Sequence, residues 1–169
     1  QLGPVELGGW DKMNFWRNPP PALREREVEK FPLWMQQIAL SLPKLEVLRT
    51  EVRALGPDTW RLRFAVANSG WLPSYVTERA KERKVVRGTV FEIHLPAQVG
   101  LVSGTERIIG EHLQGHAPKG SLQAFLPDRN ITGDRAVVEW VVRGPRGAVL
   151  GLTATADRAG TVRTEVTLD

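Results

Sequence analysis

The chain has 169 residues, 41% of them hydrophobic and 25% charged, with a formal net charge of +4. That length and balance fit one domain, or one domain with an extension, and no apolar run is long enough to cross a bilayer. The absence of cysteine excludes disulfides, thiolate nucleophiles and thiolate metal ligands.

The basic excess does not single out nucleic acid. Its densest run, Arg79-Ala80-Lys81-Glu82-Arg83-Lys84, contains an acid and follows Glu78, as a solvated face does. Neither a readout helix nor an RNA-binding aromatic pair is present, so no nucleic acid and no membrane is expected as a partner. The first residue, Gln1, is not methionine, and no charged-then-apolar leader follows. The expectation is a piece of a longer protein, whose compartment stays open between cytoplasmic and secreted.

The first 21 residues, QLGPVELGGWDKMNFWRNPPP, form an irregular arm. Gly3, Pro4, Gly8 and Gly9 are breakers, which argues for a turn-rich path. Trp10, Met13, Phe15 and Trp16 are costly to leave in water, so these four are the candidate docking residues. Pro19-Pro20-Pro21 is a stiff lead-in suited to a first helical turn. From Ala22 to about Leu40, Leu23, Val28, Phe31, Trp34, Met35, Ile38 and Ala39 recur at threes and fours, the helical period. Pro32 predicts a kink or two short helices, and Pro43 closes a helical linker spanning 22–43.

Beyond it the period becomes two. Leu48, Thr50, Val52 and Ala54 alternate with Arg49, Glu51 and Arg53; after Gly56-Pro57-Asp58, Trp60, Leu62, Phe64 and Val66 alternate with Arg61, Arg63 and Ala65. This pattern predicts an antiparallel hairpin with one buried face. Further strands are expected at Val90–Leu95, Ala136–Arg143, Ala148–Ala156 and Thr161–Leu168, with weaker ones near Ile108 and Leu122. Seven or eight short strands with regular turn signals predict a mainly β fold, an immunoglobulin- or fibronectin-like antiparallel β-sandwich over 44–169. In the loop after Phe64-Ala65-Val66-Ala67, Asn68 and Gly70 are expected in left-handed conformations. Trp71 and Leu72 are expected to cover the open end of the sandwich.

Residues that could do chemistry are sparse. His112 and His116 have the spacing that puts two imidazoles on one helix face for zinc, but Gly115 intervenes, Pro118 follows and no third ligand is marked. His94 falls in a strand, opposite in orientation to Phe91, Ile93 and Leu95. No serine sits in a strand-turn-helix nucleophile elbow, and Gly100–Gly104 lacks the lysine of a phosphate loop. Asn130-Ile131-Thr132 matches a glycosylation acceptor. No catalytic, cofactor-binding or metal residue is assigned to this chain.

Taken together, QLGPVELGGWDKMNFWRNPPP, FPLWMQQIALSLPKLEV and VANSGWLPSYVT resemble the C-terminal region of bacterial zinc carboxypeptidase-like proteins, in the carboxypeptidase A-type metallopeptidase family. The resemblance covers nearly the whole chain and rests chiefly on Val5-Glu6-Leu7-Gly8-Gly9 and Asn68-Ser69-Gly70-Trp71-Leu72-Pro73. It implies that residues 1–21 are the tail of a catalytic domain lying upstream in the same polypeptide. A helical linker and an accessory sandwich then follow. The zinc of that upstream domain would be held by a His-x-x-Glu pair and a distant histidine. No His-x-x-Glu occurs here, so no ligand is carried onto this chain; Glu6 is given a structural or site-rim role, with catalytic base as the alternative, since the family's base is expected before this motif. The implied role is non-catalytic: to support or orient the peptidase domain. The runner-up is a sandwich that binds substrate, a cell-wall component or another protein, and the third reading, an autonomous hydrolase, requires metal at His112 and His116.

Overall fold

The computed structural model describes residues 3–5, 8–116 and 133–169. The chain divides into two units, Gln1–Leu40 and Ser41–Asp169.

In the first unit, Lys12–Trp16 form one wide π-helical turn, in which the Arg17 N–H donates to Lys12 O. Asp11 starts it: its side chain accepts from the backbone N–H groups of Met13 and Asn14 and from the Asn14 amide. Those three bonds, the Asn14 amide foremost, hold the Asp11 carboxyl below its ordinary range. Two helices follow, α1 at Pro21–Val28 and α2 at Phe31–Ser41. The break falls at Glu29-Lys30, and Pro32 sits in the first turn of α2, where a missing N–H costs nothing. No residue of either helix is buried.

The second unit holds eight strands: β1 Leu45–Gly56, β2 Thr59–Asn68, β3 Val90–His94, β4 Gly100–Ser103, β5 Arg107–Ile109, β6 Arg135–Arg143, β7 Val149–Ala156 and β8 Gly160–Thr167. A five-residue helix, α3 at Glu78–Glu82, lies between β2 and β3. The strands form two antiparallel four-stranded sheets, ordered β1-β2-β6-β4 and β5-β3-β7-β8. This is a β-sandwich. Six of the strands, β1-β2-β6 on one sheet and β3-β7-β8 on the other, follow the immunoglobulin arrangement of first, second and fifth against third, sixth and seventh. The chain leaves β3, crosses to the first sheet as β4, and returns to the second as β5 beside β3.

Alternation works as expected on β2: Trp60, Leu62, Phe64, Val66 and Asn68 are buried, and the residues between them face outward. On β1 it holds only in part. Val47 pairs with Val66 and Arg49 with Ala65, so Leu48 is an extra residue, a β-bulge. Thr50, Val52 and Ala54 still oppose Phe64, Leu62 and Trp60. Leu48, expected inward with them, is exposed instead, because the bulge removes it from the period-two count.

Across the sandwich, Phe64 meets Phe91 edge to face at 5.9 Å. Trp140 lies at the centre, and its indole N–H donates to Thr105 O at 2.8 Å. Trp60 likewise donates to Gly144 O at 3.0 Å. These bonds make two large rings safe to bury. Gly104, with φ 100°, lets the backbone pass over the Trp140 ring; an added Cβ would lie 2.9 Å from that ring. β4 and α3 are absent from the sequence expectation, because Gly100-Leu101-Val102-Ser103 is too short to show a period and the five residues Glu78–Glu82 read as a charged, solvated run despite the capping Thr77 before them.

Candidate functional site

The loop after β2 is organised by one side chain. Asn68 is fully buried, and its Oδ1 accepts from the Lys44 and Gly70 N–H groups. Its Nδ2 donates to Leu72 O at 2.8 Å and Gln114 O at 3.0 Å. The amide thus ties the entry to β1, the Asn68–Leu72 turn and the 111–116 segment together, with every bond it offers used. Gly70 is needed for proximity: a Cβ there would stand 2.2 Å from Leu42 O. Neither residue has positive φ; the left-handed residue of this loop is Val76, at φ 62°. That corrects the conformational expectation for Asn68 and Gly70, whose roles are bonding and close approach. Trp71 does not cap the sandwich either, being 56% exposed.

Val76 is β-branched, and a branched residue in the left-handed region stores backbone strain. It sits between Tyr75, which is buried, and Thr77, whose hydroxyl accepts from the Ala80 N–H at the start of α3. Tyr75 packs edge-on against His112 at 5.5 Å, its hydroxyl donates to Gln114 Oε1, and Lys81 Nζ lies 5.1 Å from its ring centre. Lys81 also binds Glu78 at 3.1 Å. That bond is the main reason the Glu78 carboxyl is held low and the Lys81 ammonium is pushed up.

Of these residues, Lys81, His112 and Gln114 line a groove of about 670 Å³. One wall is the segment Gly110–Gln114 with Lys81 beside it, the other is Arg135–Val138 of β6, and Phe91, Leu113 and Val138 supply apolar surface. The volume suits a ligand site. His112 Nδ1 is buried here without a hydrogen-bond partner. Ser74 holds the Leu113 backbone in place, its hydroxyl accepting from the Leu113 N–H and its own N–H donating to Leu113 O. Sequence reasoning missed this site. Thr77 before Glu78-Arg79-Ala80-Lys81 is a readable helix start, but the groove's walls meet only through tertiary pairing.

The predicted docking residues lie together in the first unit. The Trp10 and Phe15 rings meet at 4.9 Å, tilted by 52°, and Trp10, Lys12 and Trp16 line a small hollow of about 340 Å³. Trp10 is 71% and Trp16 74% exposed, and Met13 and Phe15 are exposed as well. The candidate histidines do not converge. Residues 111–116 carry no helix, so the one helix face on which an i,i+4 pair would meet does not form. His94 is exposed, with Nε2 3.1 Å from Thr153 Oγ1. Among the described residues no group of three or more His, Cys, Asp or Glu could hold a metal. Glu6, the strand expected near Leu122 and the Asn130-Ile131-Thr132 acceptor lie outside the described residues. No helix among the described residues is long and apolar enough to cross a membrane.

A family model described as a domain of unknown function (DUF8731) matches residues 44–167. No curated protein matches the chain.

Proposed function

The chain belongs to the DUF8731 family, and from that premise we propose that it is a non-catalytic accessory sandwich. Its N-terminal segment docks on a folded domain upstream in the same polypeptide. The observation that carries this reading is α2. Its sequence, FPLWMQQIALS, holds no charged residue, and Phe31, Leu33, Trp34, Met35, Ile38 and Leu40 are all exposed, Leu33 to 75% and Trp34 to 60%. A helix this apolar, its only polar side chains being Gln36, Gln37 and Ser41, belongs in a protein interior. A membrane-surface helix would need a basic polar face, which α2 lacks. The exposed Trp10, Met13, Phe15 and Trp16 extend the same surface chemistry. The family match supports a boundary at the same place, since it begins at Lys44, just after the linker.

The resemblance to zinc carboxypeptidase-like proteins supplies the partner: a hydrolase domain that cleaves C-terminal peptide bonds with zinc-activated water. In this reading the zinc and every catalytic residue belong to that domain, and the present chain orients or supports it.

The test begins with the coding sequence upstream of Gln1. An α/β domain with His-x-x-Glu and a later histidine supports the reading, whereas an unrelated domain removes the peptidase assignment. In the parent polypeptide, Trp34→Ala with Trp16→Ala should then speed proteolytic cutting within 22–43 while the sandwich melts unchanged. One tightly held zinc per 169-residue chain would instead favour the autonomous hydrolase.

A further inference from the structure

We infer that the outer face of the β1-β2-β6-β4 sheet carries an anion site, built from Arg53, Arg61 and Arg143, that takes a diphosphate group. The site is independent of the docking segment. Arg53 of β1 stands directly opposite Arg61 of β2, and Arg61 opposite Val141 of β6. Arg143 pairs with Thr59 on the same face, diagonal to Arg61. Diagonal neighbours stand about 7–8 Å apart, within reach of long side chains. The cluster lies at the far end of β6 from Arg135, about 26 Å along the strand, and so apart from the groove.

The rest of that face is matched in charge. Arg63 binds Glu139 at 2.6 Å, and Glu51, opposite Arg63, lies 3.7 Å from Arg49. Among the described residues no carboxylate lies within ion-pair distance of Arg53, Arg61 or Arg143. Like charges directly opposite each other destabilise a sheet, so the Arg53–Arg61 pair opposes the free fold and is relieved by a bound anion. Arg53 and Arg143 are exposed. Arg61 is half-buried, its Nε covered and without an acceptor; that burial orders the stem and leaves the outer guanidinium nitrogens for a ligand. Gly56 and Gly100 flank the Thr59–Arg143 pair on either side. A Cβ on either glycine would meet no atom of the described residues within 4 Å, so the cluster is open above. Guanidinium forks match phosphate oxygens two at a time. One phosphate monoester, at a charge of about −1.5 to −2, leaves part of the three positive charges unmatched. Two linked phosphates match them and span the interval from Arg53 to Arg143.

The experiment titrates inorganic pyrophosphate into the 169-residue chain by calorimetry in about 0.1 M salt. One equivalent should bind, at least about tenfold tighter than inorganic phosphate or acetate. Arg53→Gln, Arg61→Gln and Arg143→Gln should each weaken it about tenfold, whereas Arg163→Gln, at an exposed arginine of β8, should leave it unchanged. ADP should compete for the same site: equal affinity assigns a free diphosphate as the source, and tighter binding a nucleotide. Without ligand, Arg53→Gln should melt slightly higher than the parent chain, because a repulsion is gone. The proposal fails if pyrophosphate does not bind, or if acetate binds as tightly. Equal losses from Arg163→Gln and Arg61→Gln would also sink it, since they mean diffuse attraction to the net charge. A lower melting point for ligand-free Arg53→Gln would assign that arginine to the fold instead.

Discussion

Trp60 and Trp140 in the sandwich, and Trp10, Trp16 and Trp34 in the N-terminal segment, are the same side chain in opposite circumstances. The first two are buried, and each indole N–H is bonded to a backbone carbonyl. The other three are mostly exposed. Within the sandwich, aromatic rings are what the structure is built around, and their removal leaves a hole. In the first 40 residues the rings are exposed, and their removal is expected to leave the sandwich as it was. Large apolar residues therefore report a core only where a period and a partner surface coincide; elsewhere they report a surface awaiting one.

The sharpest way to break the contrast is to truncate one member of each set. Trp140→Ala should destabilise the sandwich by about 3–5 kcal/mol in urea unfolding, through lost burial and the cavity left behind. An effect near zero would mean that the centre of the sandwich is not where Trp140 lies. Asn68→Ala should come next, at about 2–4 kcal/mol, because two backbone donors and two acceptors lose their partner at once. Gly70→Ala should cost about 1–3 kcal/mol, since the new methyl meets Leu42 O. Trp10→Ala and Trp16→Ala sit at the other extreme. In the 169-residue chain each should shift unfolding by less than about 0.5 kcal/mol. A loss as large as that of Trp140→Ala would place these rings inside the sandwich's cooperative unit.

The smallest expected effect is electrostatic. Arg87 bonds Asp157 through its backbone N–H and its guanidinium, and the guanidinium is the main cause of the lowered Asp157 carboxyl. A folded-state value below the unfolded one gives stability that is present above the ordinary carboxylate range and lost as pH falls through the folded value. Both partners are solvent-accessible, so the gain is slight. Arg87→Ala should lower the melting temperature slightly at neutral pH, and the difference should vanish in acid. A difference that persists there would assign the effect to packing of the arginine stem.

Much of the sandwich was legible. Period-two runs with Gly, Pro and Asp turns located β2, β3, β6, β7 and β8 to within a residue or so, because each buries one face and must alternate to do it. β1 was placed, but its inner face was misassigned at Leu48, since a bulge leaves no mark on composition. The short β4 was invisible: four residues hold two periods at most, and it is a strand only because the end of β6 is there to pair with it. In the Asn68 loop the right residues stood out for the wrong reason. Their types suggested left-handed turns, while the structure uses them for four hydrogen bonds and a close approach.

The sequence by itself determined the sheet class, the buried face of β2 and the separation of an apolar helical segment from an alternating body. All of these follow from local periodicity, which each residue carries with it. Only the tertiary structure decided where the groove lies. Its two walls are 20 or more residues apart along the chain, and they are brought together where the segment after β5 reaches the start of β6, through the Gln114 N–H bond to Gly133 O. Such features arise from which strands end up adjacent and how far each extends, and no window of neighbouring residues contains that information.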